Sequence, residues 1–172
     1  MSEDLRYPIG RWQRPENPSA KDVSGWIDEI EIAPASLRAA VSGIGDSDLE
    51  MRYRPGGWTI RQVIHHVADS HLNSYVRFRL AMTEDQPTIR PYDEQAWAEL
   101  PDARLGPIGV SLDLLDALHT RWVQLARTFS AEDLGRRFVH PEIDAAMRLD
   151  EALSSYAWHG RHHCAHVALA RS

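Results

Sequence analysis

"TIRQVIHHVADSHLNSYVRF", residues 59–78, is the stretch whose reading decides the fold. Ile60, Val63, Ile64, Val67, Ser74 and Phe78 fall on one stripe at helical spacing, so a long amphipathic helix over 60–83 is predicted, packed against other helices. Pro55, Gly56 and Gly57 of "RPGGWT" break the chain just before it, and Thr59 stands where an N-cap is needed. The same stretch carries three histidines. With Val63 as the centre of the core face and about 100° of turn per residue, His66 lies about 60° from that centre. His65 falls near the far side, and His71 lies inside the apolar arc on its other flank. Gln62, His66, Asp69, Asn73 and Arg77 line one shoulder of the stripe, a polar seam beside a packed core.

Three further helices are expected around this one. Ser19, with Asp22 three positions on, opens a helical pattern to about residue 44, with a kink or break at Pro34. Ser111 is placed to cap a third helix, about 112–128, with Leu112, Leu115, Leu118, Trp122 and Leu125 inward. Asp150 is placed to cap a last helix, about 151–171. Residues 1–18 read as an extended arm. Residues 84–110 hold four prolines and are long enough to carry structure of their own, with a short helix in "RPYDEQAWAEL". "SAED" at 130–133 is close to a capping box, and 135–148 reads as irregular. No alternating run demands a sheet. The expectation is one all-α domain over 1–172, a four-helix bundle whose long second connection permits a crossover.

Composition narrows the function classes. Apolar content of 43% and charged content of 26% in 172 residues fit one soluble globular domain. A net charge of −6 argues against a general nucleic-acid binder, and no apolar run is long enough to span a membrane. The start, "MSEDLRYPIG", is acidic and lacks the apolar stretch of a secretory signal. The single cysteine, Cys164, excludes an intrachain disulfide framework, so a cytoplasmic location is expected. "HGRHH" is not H-E-x-x-H, because position 160 is glycine, and neither a C-x-x-C pair nor a G-x-S-x-G, P-loop or dinucleotide fingerprint occurs.

The chemistry gathers in "SYAWHGRHHCAHVALA", residues 155–170, which holds four of the nine histidines. Leu153, Tyr156, Ala157, Gly160, Cys164 and Val167 share the core sector of this helix, which makes Cys164 a small core residue rather than a nucleophile. From Gly160 as centre, His163 lies about 60° away, His159 about 100°, His166 slightly further, and His162 nearly opposite. His159 and His163 are an i, i+4 pair that can aim two imidazoles at one ion. With His66 they make three nitrogen ligands from two helices and leave a coordination position open, as catalytic metal centres do. A solvated histidine-rich face is the plain alternative. Asp69, one turn from His66, and His166 are the candidates for proton movement; Asp69 could equally orient a ligand ring. His71 and His119 read as hydrogen-bonded core-edge histidines, His140-Pro141 as a loop, and Trp58, Trp97, Trp122 and Trp158 as packing residues.

"YPIG", "GGWTIRQVIHHVADSHLNSYVRFR", "RPYDEQAW" and "YAWHGRHHCAHV", in this order and spacing, resemble the YfiT branch of the DinB/YfiT superfamily from about residue 6 to about residue 169. The resemblance implies a four-helix bundle in up-down-down-up order, a homodimer, and a metal-dependent hydrolase holding one nickel or zinc ion on three histidines. Carried over by position, these are His66, His159 and His163. The superfamily also includes transferases and isomerases that use mycothiol, bacillithiol or glutathione, and the YfiT branch is similar to bacillithiol S-transferases. Three readings follow: metal-activated water attacking a small electrophilic substrate, a metal-activated low-molecular-weight thiol, and a non-catalytic metal-binding dimer of stress response.

Overall fold

The structure, a computed structural model, describes residues 4–142 and 145–171. Chain order is α1 (Ala20–Ala40), a 3₁₀ turn (Asp46–Glu50), α2 (Ile60–Thr83), α3 (Glu94–Ala98), α4 (Pro101–Leu105), α5 (Ile108–Ala126), α6 (Ala131–Gly135), β1 (Arg137–His140), β2 (Ala145–Arg148) and α7 (Leu149–Ala170). Two of the long helices open on reciprocal caps. Ser19 Oγ accepts from Asp22 N while Ser19 N donates to Asp22, and Thr59 and Gln62 repeat the exchange at α2. Each such cap is worth about 1 kcal/mol.

Cross-helix pairs fix the topology. Arg38 of α1 bonds Asp113 and Asp116 near the start of α5, and Arg127 just past the end of α5 bonds Asp28 and Glu31, so α1 and α5 run antiparallel. Glu29 meets Arg161 and Ala40 O meets Arg171, so α1 and α7 run parallel. His65 meets Ser111 and His71 meets His119, so α2 and α5 are parallel. His66 faces His163 while Ser70 faces Tyr156, so α2 and α7 are antiparallel. The order of the four long helices is therefore up-down-down-up. The parallel step from α2 to α5 forces the chain to travel back along the bundle, and residues 84–107 do so, carrying α3 and α4. Gln62 Nε2 holds the far end of this crossover through Ala98 O at 2.8 Å. Buried Arg61 joins Glu50, Asp46 and Gly106 O at the same end.

The core falls into two apolar clusters. One gathers Ile27, Ile30, Phe78, Trp122, Leu149 and Leu153; the other gathers Leu37, Ile60, Ile64, Val67, Leu115 and Val167. Between them, at mid-height, lies a layer of histidines. Here α7 comes close to α1: a Cβ on Gly160 would stand 3.2 Å from Ala33 Cβ.

Four expectations are corrected. Residues 137–140 and 145–148 form an antiparallel hairpin rather than irregular chain, with Phe138 opposite Met147 and Val139 bridging Thr88; His140 belongs to this strand, while Ile143 and Asp144 lie outside the described residues. The third helix starts at Ile108, with Pro107 at the N-cap position and no side-chain cap, so Ser111 is a buried helix residue and not its cap. The last helix starts at Leu149, after Arg148 as N-cap, with Asp150 inside its first turn. α1 runs unbroken through Pro34. The 1–18 arm is described from Asp4, and it lies along α7: Trp12 Nε1 donates to Ser154, Trp158 Nε1 to Gly10 O, and Arg14 pairs with buried Glu151.

Gly160→Leu is expected to overpack the α1–α7 contact and lower unfolding free energy by about 1–3 kcal/mol, read from urea midpoints at unchanged m-value.

Candidate metal centre

α2 and α7, antiparallel and adjacent, bring His66, His159 and His163 together, one ligand-capable nitrogen of each within 4.8 Å of the others. The phase of each helix explains this: the i, i+4 pair stacks one turn apart on α7, and His66 faces it from the shoulder of α2. The ring centroids of His66 lie 5.4 Å from His159 and 4.9 Å from His163. His159 Nε2 and His163 Nε2 are 3.2 Å apart. Two nitrogens on one tetrahedral zinc ion, each about 2.0–2.1 Å from the metal, are separated by about 3.3 Å, so the pair fits one ion. Burial, with the neighbouring titratable rings of His162 and His166 further disfavouring a charge there, pushes His66 down to about 4. Burial likewise holds His159 and His163 well below the ordinary imidazole range. All three rings are therefore neutral near pH 7, with lone pairs free to donate.

The neighbouring histidines divide by what their nitrogens already do. His65 uses both: Nδ1 meets Ser111 Oγ at 2.8 Å and Nε2 donates to Gly106 O at 3.2 Å. It is buried against α5 and the end of α4, so neither nitrogen is left for the cluster. His166 Nε2 donates to Arg6 O at 3.3 Å, which leaves its Nδ1 as an acceptor for His163 Nδ1, 3.3 Å away. That places the free lone pair of His163 on Nε2, toward His159. His71 Nε2 stands 3.0 Å from His159 Nδ1. His162, expected to face outward, is only 6% exposed, because the arm covers it: its ring stacks on Trp158 and on Tyr7. His162, His163 and His166 form a second group close enough to hold an ion, sharing His163. No local signal in the last helix reveals this covering, which comes from residues some 150 positions earlier.

Two cavities open at the cluster. One, of about 330 Å³, is lined by the three histidines with Tyr53, Arg54 and Trp58. The other, of about 590 Å³, also reaches His159 and is lined by Ser70, Arg77, Tyr92, His140 and Tyr156. Glu94 lines both. Trp58, expected as a packing residue, tilts against His66 at 4.5 Å and walls the first cavity. Asp69 lines neither cavity; burial, with the charge of Asp102, raises its carboxyl to about 6. Cys164 is half-buried, and burial pushes its thiol up to about 11, so it stays protonated at neutral pH.

The sequence pattern of the DinB superfamily matches residues 29–167. The chain belongs to this superfamily. A Bacillus cereus (strain B4264) protein bearing the name "Putative metal-dependent hydrolase" is 51% identical over 168 residues, covering 98% of this chain and 96% of its own. A Bacillus mycoides (strain KBAB4) protein of the same description is 50% identical over 169 residues, with the same coverage of each chain. The solved structure of YfiT from Bacillus subtilis, described as "a probable metal-dependent hydrolase with an unusual four-helix bundle topology", superposes with a TM-score of 0.95 at 47% identity, over 98% of this chain and 97% of that one. Among the described residues no helix is long and apolar enough to cross a membrane.

The raised Asp69 carboxyl carries a stability consequence. The folded chain holds this proton more tightly than the unfolded chain, so its contribution is complete below about pH 4 and is lost as pH rises through about 6. Asp69→Asn is expected to raise stability at pH 7 by roughly 1 kcal/mol, discounted for solvent at a half-buried site, and to flatten the urea midpoint across that range.

Proposed function

We propose that His66, His159 and His163 bind one divalent metal ion per chain, zinc or nickel, and that the chain is a metal-dependent hydrolase acting on a small electrophilic substrate. The observation that carries this reading is the convergence of three neutral imidazoles, from two helices, on a cavity that leaves the far side of the site open. A divalent ion held there supplies Lewis acidity and lowers the pKa of water at its open position. The protein's own residues set the rest. Trp58 and Tyr53 wall the cavity and limit water around the rings, and Arg54 presents a cation to a substrate oxygen or acidic group. His166 holds the far nitrogen of His163 rather than facing the Nε2 pair, so its part in this reading is to orient a ligand. Asp69 sits one turn from His66 on the outer side; with a carboxyl near 6 it is suited to accept a proton that reaches it through solvent. Three imidazoles suit either metal. A homodimer, as the resemblance implies, completes this reading.

A second reading draws on the two cavities that meet at His159. Two cavities that both reach one candidate ligand give room for two substrates, as transfer of a low-molecular-weight thiol to an electrophile requires. The protonated Cys164 offers no protein thiolate to do that work. A closed, purely structural site is favoured less, since the bonds of His166 run to His163 Nδ1 and Arg6 O.

Elemental analysis of the purified protein is expected to give about one zinc or nickel per chain. The metal is expected to be lost in His66→Ala and His163→Ala and kept in His65→Ala; retention in His66→Ala would refute the site. Incubating the loaded protein with activated esters or an alkylating electrophile, with and without a small thiol, separates the two activities. Turnover without thiol supports hydrolysis, and strict thiol dependence supports transfer.

A further inference from the structure

Pro34 stands inside α1, where a proline costs about 3 kcal/mol relative to alanine. It has no N–H, so the carbonyl four residues earlier, that of Ile30, loses its helical donor. Ile30 is 1% exposed, and a buried acceptor without a donor is unfavourable. The donor comes from another helix: His119 Nδ1 of α5 lies 2.5 Å from Ile30 O. A carbonyl can only accept, so the proton of His119 is on Nδ1, and in the neutral ring Nε2 is then a bare acceptor. His71 Nδ1 lies 2.8 Å from that nitrogen and must donate, which leaves His71 Nε2 bare. His159 Nδ1 lies 3.0 Å from it and must donate in turn. The lone pair of His159 is thereby confined to Nε2, the nitrogen 3.2 Å from His163 Nε2. Each ring-to-ring contact pairs two nitrogens of which only one can carry the proton, so His119 and His71 each accept as neutral rings.

We propose that Pro34, His119 and His71 are positioning residues for the metal centre: the helix carbonyl that Pro34 releases sets, through three imidazoles in series, the tautomer and aim of His159. The inference rests on the metal site proposed above. The chain spans α1, α5, α2 and α7, so three bonds between the four long helices converge on one ligand nitrogen. Its directionality comes from its end group. A hydroxyl or a water at that point would both donate and accept, and either tautomer would then serve; a carbonyl permits one. Trp122 and Tyr156 pack edge-on against His71 at 6.0 and 5.1 Å and wall the relay.

Long-range ¹⁵N–¹H spectra of the metal-free protein are expected to show His71, His119 and His159 protonated on Nδ1; an Nε2-protonated His119 overturns the proposal. Zinc affinity by chelator competition, with cobalt(II) spectra for ligand geometry, tests the consequence. His71→Leu removes the acceptor for His159 and is expected to weaken zinc binding about 10–100-fold and alter the cobalt bands. His71→Gln, which can accept and donate, is expected to restore most of the affinity. Pro34→Ala returns the helical donor to Ile30 O, so melting temperature is expected to rise while zinc affinity falls; a merely structural proline would not separate the two. Unchanged zinc affinity in folded His71→Leu and in Pro34→Ala sinks the proposal. If wild-type protein binds no zinc, the metal site itself fails, and the spectra still decide the tautomers. Should His71→Leu not fold, the spectra and Pro34→Ala decide.

Discussion

Burying a layer of imidazoles in the middle of an apolar bundle is possible only if their nitrogens are answered. An unanswered buried donor or acceptor costs about 1–3 kcal/mol, a large part of the stability of a domain this size. Ring-to-ring contacts and Ser111 meet part of that requirement, and three backbone carbonyls, each outside ordinary helical bonding, meet another part. Ile30 O is released by Pro34 and accepts from His119. Gly106 O, at the end of α4, accepts from His65. Arg6 O, in the N-terminal arm, accepts from His166. Features that look unrelated along the chain (a proline inside a helix, a crossover with two short helices, an irregular arm) each deliver one acceptor to the same layer.

That arrangement explains which parts of the site were legible in the sequence. Helical phase on α2 and α7 singled out His66, His159 and His163 because their placement depends on local periodicity and on two helices packing by their apolar stripes. The four long helices were legible for the same reason, with their capping residues at Ser19 and Thr59. His162 was misread because its outward phase is real but the arm, with Tyr7, covers it. The strands escaped because "RFVH" and "AAMR" are four residues each and pair with each other and with Thr88, contacts no local pattern announces. Pro34 suggested a break on intrinsic preference; packing of α1 against α5 and α7 overrides it, and the lost donor is replaced across the bundle. His71 and His119 read as bonded core histidines, yet their serial connection joins residues 48 and 88 positions apart.

Membership of the DinB superfamily and the 0.95 superposition on YfiT set the frame of the molecule, while its chemistry is a matter of side chains within that frame. Here the side chains place neutral nitrogen donors at the junction of two cavities and keep the cysteine inert.

The up-down-down-up order also sets a sequence of events in time. α1 packs most heavily on α7 and next on α5, so its apolar face is fully covered only once a helix more than a hundred residues further along the chain has been made. Contacts between segments more than a hundred residues apart close slowly, because the loop entropy is lost before they form. The imidazole layer is the last part of the chain to be completed, since two of its three convergent nitrogens arrive with α7. A growing chain therefore cannot capture an ion in this geometry early and fold around it. The three nitrogens come together only when the bundle closes, so occupancy of the proposed metal site would serve as a readout of finished folding.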